Sequence, residues 1–239
     1  MDAYLMSRAT HDAAPDVAAP APYPTRPGAY LYLDVETLDW FDQGDFIGLS
    51  RWRQLAAMRL GVATTYDDSH GWRVWWPAQV ADLWAALIAA RQVVGWNSSD
   101  FDIPLLALKV SATMMADPGL VGSGNNPWND ALTEIDLMAR IKRATKAQEG
   151  RERWYSLEAI AFANLGRGKD GDGKQAAAQL RSGDPALVEQ ALAYCKSDVQ
   201  LLRELHAILR DGRPLICPAR PERREATAFL LQPEEYERC

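Results

Sequence analysis

Ala29-Tyr-Leu-Tyr-Leu-Asp-Val-Glu36 decides how the rest of this chain is read. Its aromatic and branched residues come at strand density, so it predicts a buried strand. Successive side chains on a strand point to opposite faces, which puts Asp34 and Glu36 on one face near its end. Two carboxylates side by side are costly to bury unless something positive neutralises them. Mg²⁺ and Mn²⁺ prefer carboxylate oxygens and water, so a divalent cation is one answer. A strand end emerging into solvent is the other, and this stretch alone leaves both open.

Outward from that strand, a polar, Trp-containing loop runs from Thr37 to about Leu55, and Ala57–Tyr66 reads as a second strand. Asp67–Gly71 makes a turn, and Trp72–Trp76 completes a hairpin. From Pro77 the period changes: Val80, Leu83, Trp84, Leu87 and Ile88 form one helical stripe. Gln92–Trp96 is a short apolar strand and Phe101 to about Ala112 another helix. Ala116–Asp130 is rich in glycine, proline and asparagine and reads as a mobile loop. A short strand or helix start surrounds Thr133–Met138, followed by a basic helix to about Lys146. Ser156 caps a helix through about Leu165. Gly166–Lys174 is a glycine-rich loop, and a long helix spans Pro185–Arg210. Antiparallel strands followed by alternating helices and strands predict an α/β sheet with helices on its faces. No Gly-x-Gly-x-x-Gly follows the first strand and no phosphate-binding Gly-x-x-x-x-Gly-Lys-Ser/Thr occurs, which excludes the two common nucleotide-binding patterns.

Further acids interrupt apolar elements. Asp102 lies in Gly95-Trp-Asn-Ser-Ser-Asp-Phe-Asp102, where a strand gives way to a helix. An acid in a first helical turn also satisfies free N–H groups, so its role stays open here. Asp198 sits inside an apolar helix whose stripe is Leu192, Cys195, Val199 and Leu202, and Tyr194 lies four residues before it on the same face.

The series Asp-x-Glu, Asn-x-x-x-Phe-Asp and Tyr-x-x-x-Asp resembles the DEDD-type 3′–5′ exonucleases of the ribonuclease H-like superfamily, in the subgroup with tyrosine in the third motif. Arg59–Tyr66 looks like that family's second strand. Ile135-Asp-Leu137 looks like the segment before its middle helices. Ser156–Ala161 followed by Gly166-Arg-Gly-Lys169 is similar to bacterial exonuclease-like domains found alone or joined to helicases. The resemblance spans about Tyr30 to Leu209. It implies a mixed sheet, antiparallel in strands one to three and parallel thereafter, flanked by helices. It also implies metal-dependent hydrolysis of phosphodiester bonds at single-stranded 3′ ends of DNA or RNA. Asp34, Glu36, Asp102 and Asp198 would hold two divalent ions, Mg²⁺ or Mn²⁺, and Tyr194 would orient the attacking water. Such a pair of ions can acidify a water and hold the leaving oxygen. A tyrosine with an ordinary pKa near 10 is a poor base at neutral pH, so orientation is the role left to it.

Substrate contacts implied in the same way are Thr37 and Leu38, through backbone N–H and an apolar wedge. Asn97 and Phe101 would shape the terminal-nucleotide pocket, although a plain helix cap and a plain core residue explain them equally. Trp40, Trp52, Trp96 and Trp128 are either stacking surfaces for unpaired bases or core. Arg140, Lys142, Arg143, Lys146, Arg151 and Arg153 against Glu149 and Glu152 make a local +4 that could grip phosphates or be a solvated face. Asp136 supplies no ligand in the family pattern and reads as structural. The twenty-two residues between Glu36 and Arg59 exceed a hairpin's needs and read as a specificity insertion. Two rival functions remain: a non-catalytic nucleic-acid-binding or interaction module, and a structure-specific endonuclease. Recruitment by a replication, repair or helicase partner is open beside independent trimming.

Composition bounds the rest. The 239 residues are 48% hydrophobic and 24% charged, which excludes wholesale disorder. The expected organisation is a disordered Ala/Pro-rich arm over 1–27, a catalytic domain over 28–210 and a loosely held Pro/Arg-rich tail over 211–239. No apolar run is long enough to span a bilayer and no signal peptide is legible, so the expected location is cytoplasmic. A net charge of −6 disfavours coating nucleic acid by bulk electrostatics. The three cysteines and three histidines lack disulfide or zinc-site spacing.

Overall fold

The computed structural model describes residues 30–114, 132–219 and 228–232. The 1–27 arm, the 116–130 loop with Trp128, and much of the C-terminal tail lie outside the described residues. Five strands, β1 (Tyr30–Thr37), β2 (Leu60–Asp67), β3 (Gly71–Trp75), β4 (Gln92–Gly95) and β5 (Glu134–Asp136), form one sheet in the order β3-β2-β1-β4-β5. β1–β2 and β2–β3 are antiparallel, whereas β1–β4 and β4–β5 are parallel. This is the expected mixed α/β sheet.

The alternation along β1 sorts the molecule into two layers. Leu31, Leu33 and Val35 face one core with α1 (Arg51–Ala57), α2 (Val80–Ala89) and α3 (Asp102–Met114). Tyr32 faces the other, built from α4 (Leu137–Glu149), α5 (Leu157–Leu165) and the 26-residue α7 (Pro185–Arg210). Fully burying side chains such as Leu33 contributes about 1.5–3 kcal/mol each. Asp34 and Glu36 share the Tyr32 face, so periodicity two places them under α7.

Local chemistry explains where the helices start. Asp184 accepts from the Ala186 and Leu187 amides and Pro185 occupies the first turn, which together launch α7. The Ser156 hydroxyl accepts from the Ala159 amide at α5, and Gly166 ends that helix in the left-handed region. In α2 the buried stripe runs through Val80, Leu83, Trp84, Ala86 and Leu87, while Ile88 is exposed.

Four expectations need correction. The second strand begins at Leu60, because residues 51–57 coil into α1 and bury Leu55. The segment after Glu36 is therefore packed: Phe46, Leu55 and Met58 join the core, and Asp39 accepts from the Arg59 amide and guanidinium at its base. The sequence reading missed α6 (Gly173–Ser182), whose inward face consists of Ala176, Ala177 and Leu180. Alanines leave little hydrophobic contrast for periodicity to register. The tail is not loose throughout, since β6 (Leu215–Cys217) and β7 (Phe229–Leu231) pair and bury Leu215, Cys217, Phe229 and Leu231 beside α5 and α7.

Candidate active site

The site forms where β4 stops accompanying β1. Pairing runs Tyr30–Gln92, Leu31–Val93 and Tyr32–Val94, and then β4 ends at Gly95 while β1 continues to Thr37. The chain leaves β4 through a tight turn. A Cβ at Gly95 would lie 2.5 Å from the Ser98 Cβ, so only glycine fits. Asn97 then adopts φ 61°, a left-handed conformation that asparagine tolerates better than most residues. The turn brings Asp102, in the first turn of α3, beside the end of β1. This crevice beyond the carboxyl ends of two adjacent parallel strands is where open α/β sheets bind ligands.

Three elements far apart in sequence deliver the acids. Asp34 and Glu36 come from β1, Asp102 from α3 and Asp198 from α7, near enough for their charges to act on one another. Burial raises the Asp34 carboxyl despite the pull of Lys169 and the Cys195 thiol. Burial, then Asp34 and Asp198, push Glu36 well above the usual carboxylate range. Burial, then Asp34, Glu134 and Asp136, do the same to Asp102. Asp198 is lifted to about 7 by burial and by Asp34, against Lys169. Its two oxygens are out of solvent, and Oδ2 forms an ion pair with Lys169 Nζ. The Asp34 and Glu36 oxygens, which lie within 4.8 Å of each other and of Cys195 Sγ, suit a hard divalent cation.

Lys169 is the residue that sequence reasoning missed. It was visible within Gly166-Arg-Gly-Lys169, but nothing local assigns it a partner. The glycine-rich loop folds back over the acids, and Lys169 Nζ forms an ion pair with Asp198 and donates to the Tyr194 hydroxyl at 2.9 Å. Burial works against its charge, but Asp198 and Asp34 outweigh that and raise its pKa. Glycines permit this close passage: a Cβ at Gly171 would approach the Tyr194 ring to 3.2 Å, and one at Gly173 the Trp40 ring to 2.9 Å. Tyr194 is buried, and burial followed by Asp198 raises its hydroxyl, which keeps it protonated. The Cys195 thiol donates to Asp34 Oδ2 at 3.2 Å and stays protonated through burial and the adjacent acids. Glu134 was also missed. Burial raises it to about 7, and it adds negative potential around Asp102.

The other expected residues divide. Asn97 lines a cleft of about 420 Å³ that opens from Asp34 and Lys169. Thr37 is buried and its hydroxyl donates to the Asp39 carbonyl at 2.7 Å. The Leu38 amide donates to the Arg59 carbonyl at 2.9 Å, so it is not offered to a ligand as expected; its half-buried side chain remains at the site's edge. Phe101 packs edge-on against Phe41, 5.7 Å between centroids, with the Arg51 guanidinium 5.5 Å from its ring, and joins the α1–α3 core. Asp136 is structural: it accepts from the Asn97, Ser99 and Ala139 amides and the Ser99 hydroxyl. Several bases of the +4 stretch are engaged by other residues, although Arg143, Lys146 and Arg151 are exposed. Arg153 pairs with Glu149, Lys146 with Glu152 and Lys142 with Asp100, and Arg140 is buried. No described helix is long and apolar enough to cross a membrane.

Comparison with known proteins agrees with this architecture. In three dimensions the chain is similar to the family B DNA polymerase from the hyperthermophilic archaeon Pyrobaculum calidifontis, at 18% identity over 77% of this chain and 25% of that one, with a TM-score of 0.51. It is also similar to exonuclease I, at 14% identity over 80% of this chain and 48% of that one, with a TM-score of 0.40. The chain thus spans about a quarter and about half of those two structures. No curated protein sequence matches it. A sequence model of the RNase_H superfamily matches residues 31–210, most of the chain, and this protein belongs to that superfamily.

Proposed function

We propose that the protein is a metal-dependent 3′–5′ exonuclease of the DEDD type with tyrosine in its third motif, acting on unpaired ends of DNA or RNA. One observation carries this reading. Asp34 and Glu36 on β1 bring carboxylate oxygens within 4.8 Å of each other, and the Asp34 charge raises Glu36, Asp102 on α3 and Asp198 on α7. A fold does not retain such repulsion for stability, since buried like charges only cost free energy.

Asp34, Glu36, Asp102 and Asp198 would hold two divalent ions, Mg²⁺ or Mn²⁺, which would activate water and stabilise charge on the reacting phosphate. The chain's own groups divide the remaining work. The Tyr194 hydroxyl keeps its proton and holds a hydrogen-bonding position at the edge of the acids, which suits it to align a water rather than deprotonate it. Lys169 carries a fixed positive charge beside Asp198 and Tyr194, where it can stabilise negative charge building on a non-bridging phosphate oxygen. Asn97, held in its left-handed turn, borders the space for the terminal nucleotide, and Leu38 packs beside Tyr194 as the candidate apolar wedge.

The test is hydrolysis of 5′-labelled single-stranded, 3′-recessed and circular oligonucleotides, as DNA and as RNA, with Mg²⁺ or Mn²⁺. Stepwise shortening from the 3′ end that stops with chelator and in Asp34→Ala supports the assignment. Cutting of circular strands would replace it with an endonuclease.

A further inference from the structure

The cleft lined by Asp34 and Lys169 is also lined by Trp96, Asn97, Met138 and Trp154. Trp154 is 49% exposed, an unfavourable state for so large an apolar ring, and the chain enforces it. Residues 153–157 alternate buried and exposed. On one side the buried Arg153 is clamped by Glu149, and its amide donates to the Thr145 hydroxyl. On the other, the buried Tyr155 donates its hydroxyl to the Pro218 carbonyl at 3.1 Å. With both neighbours anchored inward, the Trp154 side chain is directed outward. Lys142 further fixes the ring, its Nζ lying 3.6 Å from the ring centroid while it pairs with Asp100.

We propose that Trp154 is a stacking platform for an unpaired nucleobase, one or more nucleotides along the strand whose end lies at the acids. This rests on the nuclease reading for the identity of the strand. The cleft volume of about 420 Å³ falls within the roughly 300–1,000 Å³ typical of small-ligand sites. Its lining combines the charged Asp34, Glu158 and Lys169 with the apolar Trp96, Met138 and Trp154. A strand lying in it places phosphate at the centre and a base against the indole. Stacking needs only a π face and is sequence-tolerant, and a base held in a duplex cannot offer that face. Trp154 therefore makes the enzyme select unpaired strands without reading their sequence.

The experiment combines Trp154→Ala and Trp154→Phe with a single abasic nucleotide moved along the 3′ region of oligothymidylate and oligouridylate. Binding is followed by fluorescence anisotropy in chelator. Trp154→Ala is expected to weaken binding roughly 5- to 100-fold, and Trp154→Phe to recover most of it. At one position the abasic substitution should weaken the wild type but leave Trp154→Ala unchanged. Equal affinities for wild type and Trp154→Ala, or abasic effects additive with the mutation at every position, would overturn the proposal. Hydrolysis of a p-nitrophenyl ester of thymidine 5′-phosphate with Mn²⁺ separates the two readings, because that substrate carries no second base. A raised oligonucleotide KM with the ester rate unchanged in Trp154→Ala supports the platform. No hydrolysis of ester or oligonucleotide by the wild type would defeat the nuclease reading, and the binding comparison would still decide Trp154.

Discussion

Replacing Lys169 with methionine isolates the charge that holds the metal-free acids together. Methionine keeps much of the aliphatic stem and removes only the ammonium, which pairs with the fully buried Asp198. Removing one partner of a buried pair costs about 3–5 kcal/mol, and the lower end applies because the Lys169 side chain is 25% exposed. Asp198 titrates at about 7 with Lys169 present. Its folded pKa is raised, so its ionisation costs stability as pH climbs above the usual carboxylate range, and Lys169 reduces that cost. At about 1.4 kcal/mol per pKa unit, losing about 3 kcal/mol of pairing moves Asp198 up by about two units. At pH 6 the carboxyl is protonated in both proteins, and the variant should lose under about 1 kcal/mol. At pH 8.5 it should lose about 2 kcal/mol. Urea unfolding in chelator at the two pH values measures both. Equal losses would mean that the variant disturbs packing rather than charge, and the electrostatic account of the site would fail.

Three other outcomes are expected. Asp34→Asn should raise the melting temperature in chelator at pH 8, because Asp34 raises the pKa of Glu36, Asp102 and Asp198, while nuclease activity falls by at least about 10²-fold; a less stable variant would contradict the repulsion. His206 is buried against Tyr32 and driven down to about 3 by burial and by Arg210 and Arg140. Its folded pKa is depressed, so the stability it confers is complete above 6.5 and is lost as pH falls toward 3. Between pH 7 and 5 this amounts to about 2 kcal/mol, visible as a difference in pH slope between wild type and His206→Gln in urea titrations. Gly95→Ala should cost about 1–3 kcal/mol through its clash with Ser98, and Ser98→Gly in the same chain should recover most of it; an additive double-mutant cycle would refute the clash.

What the sequence determined by itself is local. Alternation put Asp34 and Glu36 on one face of β1, the four-residue spacing put Tyr194 and Asp198 on one face of α7, and Ser156 and Pro185 marked helix starts. Each depends only on strand or helix geometry and on neighbours a few residues away. Where the helical stripe was made of alanines, as in α6, or reduced to Leu55, as in α1, the hydrophobic contrast was too weak to read. The tertiary structure alone decided which charges meet. Lys169 reaches Asp198 across twenty-nine residues because a glycine-rich loop passes close to Tyr194, whereas Lys142, Lys146 and Arg153 find acids of their own. It likewise engaged the Leu38 amide with Arg59 and turned Trp154 outward between two inward anchors. Hydrogen bonds and ion pairs act over a few ångströms, and residues distant in sequence reach that range only when the whole sheet and its helices close around them.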